Sequence, residues 1–190
     1  MNQTQLKLSI ISRTLDPVTT VPQRSPMMNH THGNFGTSVL PTTTFKDDWS
    51  NIDVLFVPGG AGTRGDMTEE IAFVKEMAPN VDYLLSVCTG GTILARAGVL
   101  DGRNATSNKR AWPFVKSSGP NVNWIPEARW VDSGDGIWTS SGVSAGIDLT
   151  FAWVASLYGE EVADYIAINL EVERWRNATY DPFAKIWELV

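Results

Sequence analysis

The fold of this chain is decided by residues 84–91, which read Leu84-Leu85-Ser86-Val87-Cys88-Thr89-Gly90-Gly91. The short apolar run that ends at Val87 is typical of a strand buried on both faces. An apolar helix is predicted to follow directly over 92–97, closed by Gly98. Glycines beside the junction allow a strained backbone and a close approach of helix to strand. The pattern therefore predicts a sharp strand-to-helix turn with Cys88 at its corner.

Cys88 is the single cysteine of the chain, and the predicted turn gives it a chemical role. The turn places its side chain at the carboxyl edge of the sheet, where α/β folds bind ligands. At a helix N-terminus the dipole and the free N–H groups favour the thiolate, which predicts a reactive nucleophile. A small buried hydrophobe is the alternative interpretation, since free cysteines are often buried. A lone cysteine cannot form an internal disulfide, which fits a reducing, cytoplasmic location.

The rest of the chain alternates between predicted strands and helices. The run 52–57, ended by Pro58-Gly59-Gly60, predicts a second strand buried on both faces. Further strands are predicted over 6–11, near 39–40, and over 104–106, 122–124, 129–132 and 137–139, with a long surface loop over 17–41. Helices are predicted from Thr68 to Pro79, from a cap at Ser144, and over 160–174. This alternation predicts one α/β domain over 1–190, with a doubly wound, mostly parallel sheet and helices on both faces.

Charge and hydropathy exclude two classes of partner. The formal net charge is −6, and no basic run is longer than the pair Lys109-Arg110, so no nucleic acid partner is expected. No apolar stretch approaches the roughly 20 residues that cross a bilayer, and the first residues lack the pattern of a signal peptide. A small molecule is therefore the expected partner, and a membrane is not.

A second nucleophile motif lies at Gly142-Val143-Ser144-Ala145-Gly146, which matches Gly-x-Ser-x-Gly. Taken literally, this motif predicts a serine hydrolase of the α/β type. That mechanism needs a histidine after the serine, and the two histidines of the chain, His30 and His32, both precede it. A helix cap at Ser144 explains the motif instead.

The His30-Thr31-His32 triplet raises the question of a metal site. No cysteine or acidic partner lies nearby at the spacing of metal ligands, and the segment is rich in Asn, Gly and Pro. A solvated loop with no metal and no cofactor is the expectation.

Four stretches of sequence together resemble the ThiJ/PfpI superfamily, with its class I glutamine-amidotransferase-like fold, and within it the isonitrile-hydratase-like branch. They are Asp53-Val54-Leu55-Phe56-Val57-Pro58-Gly59-Gly60, Val87-Cys88-Thr89-Gly90, residues 100–106, and residues 138–148. The resemblance implies a flavodoxin-like sandwich, a homodimer, and Cys88 as the nucleophile with Thr89 beside it. It further implies that backbone amides at Gly59, Gly60 and Thr89 stabilise negative charge. Pocket candidates are Gly90, Asn108, Ser141, Gly142 and Val143.

Two departures from the family pattern bear on the chemistry. In the family that this chain resembles, glyoxalase, deglycase and amidase members usually carry a histidine soon after the strand that Ala105-Thr106 matches. This chain has Ser107-Asn108-Lys109 there instead. The resemblance to isonitrile hydratases is compatible with the loss of this histidine, because in that reaction a carboxylic acid transfers the protons. In the family this acid comes from an earlier strand and helix, whereas only five residues precede Leu6 here. The chain is thus either a shortened sequence or a natural short form, and no position is assigned to the acid.

These observations leave several functions open. The first is a cysteine-dependent lyase that converts an isonitrile and water to an N-formamide. The others are a stress or redox sensor in which Cys88 is oxidised, a glyoxalase or deglycase, and a ligand-binding regulatory domain.

Overall fold

The computed structural model describes residues 5–21 and 33–190, and the chain falls into two compact units, Met1–Asn51 and Ile52–Val190. The single domain expected over 1–190 stays a prediction. Four two-residue strands lie in the first unit: β1 (Ile11–Ser12), β2 (Val18–Thr19), β3 (Ser38–Val39) and β4 (Thr43–Thr44). β1 pairs in parallel with β4, and β2 pairs antiparallel with β3.

The strand predicted over 6–11 is wrong except at its last residue. Leu6 and Leu8 are more than four-fifths exposed, although their spacing is that of a half-buried strand. Backbone pairing begins only at Ile10, whose carbonyl accepts a 2.8 Å hydrogen bond from the Thr42 N–H. Alternation predicts a strand only where a neighbouring strand satisfies the backbone, and that partner is the two-residue β4.

The second unit is built on a four-stranded sheet. The unit has six strands, four in this sheet and two in a separate pair. In chain order they are β5 (Val54–Val57), β6 (Tyr83–Val87), β7 (Asn104–Ala105), β8 (Asn123–Trp124), β9 (Trp130–Asp132) and β10 (Ile137–Ser140). The order in the main sheet is β5-β6-β10-β9, where only the β10–β9 pairing is antiparallel. β7 and β8 form the separate parallel pair. The predicted, mostly parallel sheet is confirmed.

Six helices complete this unit: α1 (Thr68–Met77), α2 (Gly91–Arg96), α3 (Trp112–Ser118), α4 (Val143–Tyr158), α5 (Glu160–Asn169) and α6 (Pro182–Ile186). Leu84 and Leu85 of β6 point to opposite faces of the sheet, as neighbours on a strand do. Both are at most 2% exposed, so both faces of the central strand are covered. Leu85 packs with Trp138 of β10 and Leu149 of α4.

Three helix boundaries differ from those predicted. Ser144 is not a cap, because Gly142 holds the N-cap position of α4. Thr68 is not a cap either; Met67 precedes α1, and Asp66 Oδ1 accepts the Thr68 N–H at 3.0 Å. α5 ends at Asn169 rather than at 174, since Glu171 has a φ of +52° that a helix cannot accommodate.

α3 and α6 were not predicted at all. Each begins near a proline, Pro113 or Pro182, which is favourable only in the first turn of a helix. In the part of the chain that the structure describes, no helix combines the length and hydropathy needed to cross a membrane.

Candidate active site

Cys88 lies at the corner between β6 and α2 with a φ of +58°. A single 3₁₀ turn, Cys88–Gly90, connects the strand to the helix. A residue with a side chain in this left-handed region is strained, at a cost of about 1–3 kcal/mol. The predicted sharp turn is confirmed, and it leaves the Cys88 side chain partly exposed.

The turn is pressed against the loop that follows β5. A Cβ on Gly90 would lie 2.3 Å from the Val57 carbonyl oxygen, and one on Gly59 would lie 2.7 Å from Cys88 Cβ. Only glycine fits at either position, because real Cβ atoms do not approach so closely. These two residues let the ends of neighbouring strands meet around the cysteine.

Thr89 joins the same two loops by hydrogen bonds. The Gly60 N–H donates to Thr89 Oγ1 at 2.9 Å, and the Thr89 hydroxyl donates to the Gly60 carbonyl oxygen at 3.1 Å. Thr89 is only 7% exposed. The Gly60 amide, expected to stabilise negative charge, is thus engaged by the threonine side chain in this structure.

The Cys88 carbonyl oxygen accepts two hydrogen bonds. Ser107 Oγ donates to it at 2.6 Å, and the Gly91 N–H at the start of α2 donates to it as well. Because the peptide unit is planar, the direction of this carbonyl also sets the direction of the Thr89 N–H. The first N–H groups of a helical segment have no acceptor within it, so they are suited to bind an anion.

Cys88 opens onto a cleft of about 420 Å³. The cleft is lined by Phe56, Pro58, Gly59, Gly60, Val87, Cys88, Val143, Gly146, Ile147 and Thr150. Phe56, Ile147 and Val143 are 44%, 47% and 80% exposed, so apolar side chains face the solvent beside the thiol. Cys88 is the one titratable side chain in this lining.

The structure gathers some of the predicted site residues at the cleft and places others elsewhere. Cys88, Gly59, Gly60 and Val143 line it, and Thr89 braces its wall. Gly90, Asn108, Ser141 and Gly142 do not line it. Ser141 is buried, with its N–H bonded to the Arg129 carbonyl at 2.9 Å, and Asn108 Oδ1 accepts the Ala111 N–H at 3.0 Å.

Ser144 belongs to a different, charged cluster. Its hydroxyl oxygen accepts a 3.3 Å hydrogen bond from Arg129, and Arg129 pairs with Asp148 at 2.6 Å. Asp148 also accepts the Trp175 N–H at 3.0 Å. This buried pair ties α4 to the residue that precedes β9 and to the segment after α5, and it accounts for Asp148, which follows the Gly-x-Ser-x-Gly motif.

Metal binding has no support in the described ranges 5–21 and 33–190, where no group of three or more His, Cys, Asp or Glu residues could hold an ion. His30 and His32 lie outside the described residues.

A buried lysine behind the turn was not predicted from the sequence. The Lys109 side chain is 1% exposed and lies 3.9 Å from Asp181 Oδ2. Its ammonium group donates to Thr106 Oγ1 at 2.6 Å and to the Ala128 carbonyl at 2.7 Å. Burial lowers its pKa to about 8, and the nearby Asp181 offsets this only in part. A lysine beside Arg110 looks like surface charge, so only the tertiary structure reveals it.

The sequence profile of the DJ-1/PfpI family matches residues 5–156. The chain is 35% identical over 138 residues to an isonitrile hydratase of Pseudomonas putida, an alignment covering 72% of this chain and 58% of that protein. It is 30% identical over 132 residues to the HTH-type transcriptional regulator GbdR of Pseudomonas aeruginosa (strain UCBPP-PA14), covering 69% of this chain and 35% of the regulator.

A solved structure of a ThiJ/PfpI family protein from Pseudomonas syringae has a TM-score of 0.70 and 28% sequence identity, covering 97% of this chain and 74% of that chain. The expected flavodoxin-like α/β fold is thereby confirmed. The alignments to the two curated relatives span 58% and 35% of their own lengths.

Proposed function

Because this chain belongs to the DJ-1/PfpI family, we propose that it is a cysteine-dependent enzyme of the isonitrile hydratase type. It would add water to a small isonitrile and release an N-formamide. Cys88 would be the nucleophile, and the Thr89 N–H would stabilise developing negative charge. The similarity to an isonitrile hydratase at 35% identity supports this choice.

The observation that carries the proposal is a strained cysteine that opens onto an apolar cleft. Holding Cys88 at a φ of +58° aims its side chain at the cleft rather than into the core. The lining contains no charged side chain other than the thiolate that Cys88 can form. Such a cleft favours a neutral, mostly apolar substrate, as an isonitrile is, over a charged or strongly polar one.

The chemistry balances with water as the only co-reactant. The thiolate attacks the terminal carbon of the isonitrile, a C–S bond forms, and that carbon takes a proton from water to give a thioimidate. Water then adds to the same carbon and loses one proton, the nitrogen gains a proton, and the C–S bond breaks as the added hydroxyl loses its second proton and forms the C=O bond. The products are the N-formamide and the regenerated thiolate. Solvent carries the protons, because the cleft lining offers no carboxylic acid or imidazole.

The test is formamide production from a simple apolar isonitrile, followed by proton NMR. Wild-type protein should give formamide at a rate proportional to enzyme, and Cys88→Ala should fall to the uncatalysed rate. Thr150→Ala, which alters the cleft lining without touching the thiol, is the matched control and should keep measurable activity. Equal rates for wild type and Cys88→Ala would reject the mechanism, and turnover of a glycated amine or methylglyoxal in place of the isonitrile would favour a deglycase or glyoxalase.

A second candidate function is redox sensing by oxidation of Cys88 to the sulfinic acid. The lack of an acid or base beside the thiol in the cleft lining favours it, because an oxidised cysteine needs no general acid. Titration with hydrogen peroxide and intact-mass measurement separates the candidates. A sensor should gain two oxygen atoms per chain at a small molar excess over the two equivalents of peroxide that sulfinic acid formation consumes, and it should show no turnover of isonitrile.

The proposal includes a homodimer, a cytoplasmic location and no nucleic acid partner. The relative GbdR is an HTH-type transcriptional regulator, whereas the net charge of −6 on this chain opposes binding to a phosphate backbone. Sedimentation with and without a DNA duplex at low salt measures the oligomeric state and DNA binding in one experiment. A monomer, or co-sedimentation with the duplex, would contradict this part of the proposal.

A further inference from the structure

We propose that Ser107 and Lys109 form a clamp that positions the reactive turn, with Lys109 acting through Ser107 on the peptide between Cys88 and Thr89. This inference rests on the proposed role of Cys88 as the nucleophile. It assigns positioning roles to two residues that do not line the cleft.

The clamp begins at the Cys88 carbonyl. Ser107 is fully buried, and its hydroxyl donates to that carbonyl at 2.6 Å. The Gly91 N–H approaches the same oxygen from the helix. With two donors on its oxygen, the Cys88–Thr89 peptide is held in one orientation, and its N–H is directed away from both donors. The hydrogen bond therefore sets the aim of the amide that is proposed to face the reacting atoms.

Lys109 holds the segment that presents Ser107. Its ammonium group donates to Thr106 Oγ1 at 2.6 Å and to the Ser107 carbonyl oxygen at 3.3 Å. The Thr106 N–H in turn donates to Thr139 Oγ1 of β10 at 2.9 Å. One buried cation thus holds both the Thr106 side chain, which precedes Ser107, and the backbone carbonyl of Ser107 itself. A free loop would let that hydroxyl rotate to other acceptors.

The lysine is itself anchored from the far side. Ala128 O accepts from Lys109 at 2.7 Å, and Asp181 Oδ2 lies 3.9 Å from the ammonium group. Asp181 Oδ2 makes no hydrogen bond in the described structure, so this carboxylate faces the lysine as a charge. Asp181 Oδ1 caps α6 by accepting the Phe183 N–H at 3.1 Å. The clamp consequently reaches from the cysteine turn to the last helix.

The clamp gives a role to a segment whose side chains do not line the cleft. Ser107-Asn108-Lys109 supplies no base to the cleft. It supplies instead a hydroxyl that orients a backbone donor and a cation that holds the hydroxyl in place. Preorganised donors lower a barrier because they need no reorientation during the reaction.

Alkylation of the thiol tests the clamp without any assumption about the substrate. Cys88 is the only cysteine, so the rate of modification by iodoacetamide at neutral pH reports this residue alone. Ser107→Ala should slow alkylation and kcat by about 10-fold and change KM by less than about 2-fold, because the amide is misaimed but the cleft is intact. Ser117→Ala is the matched control, since Ser117 also donates to a backbone carbonyl, that of Phe114 at 2.9 Å, but is exposed in α3.

Removing the lysine separates positioning from stability. Lys109→Met alone leaves Asp181 buried without its counter-charge, so the double variant Lys109→Met/Asp181→Asn removes both charges and keeps a cap for α6. Its alkylation should be slowed in the same direction as in Ser107→Ala, measured well below its melting temperature.

Two outcomes overturn the inference. The first is a cooperatively folded Ser107→Ala that is alkylated at the wild-type rate. The second is a double variant that is also alkylated at that rate, which would reduce Lys109 to a structural residue. If both variants are alkylated more slowly than the wild type while the wild type does not turn over isonitrile, the clamp is supported and only the proposed function is rejected.

Discussion

The Lys109 ammonium group and the Asp181 carboxylate lie 3.9 Å apart with both side chains at most 1% exposed. Such a pair does not by itself stabilise a fold, because removing both charges from water costs about as much as their attraction returns. Its value here is positional, since it connects the turn that carries Ser107 to the helix that Asp181 caps. The pair also makes stability depend on pH.

The free energy of unfolding should rise between about pH 8 and 10.5. Burial lowers the pKa of Lys109 from 10.5 to about 8, with Asp181 and Glu127 opposing the shift and Arg129 adding to it. The unfolded chain therefore binds more protons than the folded chain in this window, so stability increases with pH by on the order of 3 kcal/mol. Urea unfolding across the window measures it. Lys109→Met should remove the rise, whereas Lys116→Met, at an exposed position, should retain it.

Cys88→Gly should be more stable than Cys88→Ala. A φ of +58° strains any residue with a Cβ, while glycine adopts it freely. After the extra entropy of glycine in the unfolded chain is subtracted, the expected difference is up to about 1 kcal/mol. Thermal unfolding of the two variants measures it. At Ser117 in α3 the order should reverse, with the glycine variant less stable, and the same order at both positions would contradict strain at Cys88.

Gly90→Ala should destabilise the fold by about 1–3 kcal/mol or more and slow alkylation of Cys88. The new Cβ would lie 2.3 Å from the Val57 carbonyl oxygen and 2.9 Å from that of Pro58, so the turn must move away from the end of β5. Gly62→Ala is the control, because its Cβ meets nothing within 4 Å. Denaturant unfolding and iodoacetamide alkylation check both effects, and unchanged alkylation in Gly90→Ala would show that the turn tolerates displacement.

Arg129→Met should cost about 3–5 kcal/mol, because it leaves Asp148 buried without its counter-charge. The two side chains are 10% and 7% exposed and lie 2.6 Å apart. Arg103→Met is the control, since its partner Asp135 is 80% exposed and a surface pair contributes under about 1 kcal/mol. Urea unfolding of both variants compares the costs. Similar losses in the two would contradict a structural role for the buried pair.

The sequence predicted β6 and the turn that follows it because local chemistry decides both. A run of apolar residues over 83–87 can satisfy its backbone only in a covered sheet, and the glycines after Cys88 allow the abrupt turn. The resemblance to the ThiJ/PfpI superfamily depended on the same stretches and is confirmed. The strand over 6–11 failed because its hydropathy pattern says nothing about whether a partner strand is present.

Residue types and their order along the chain were therefore enough to predict the fold class, the position of Cys88 at a bent junction, and the family. Each of these depends on residues adjacent in the chain, whose backbone preferences and hydropathy act locally. The three-dimensional arrangement was needed to show that Thr89 engages the Gly60 amide, that Ser107 donates to the Cys88 carbonyl, and that Lys109 is buried behind it. Apart from the bonds of Lys109 to the neighbouring Thr106 and Ser107, these contacts join residues that are 19 or more positions apart in the chain. Their energies depend on burial and hydrogen-bond geometry, which residue type and spacing do not specify.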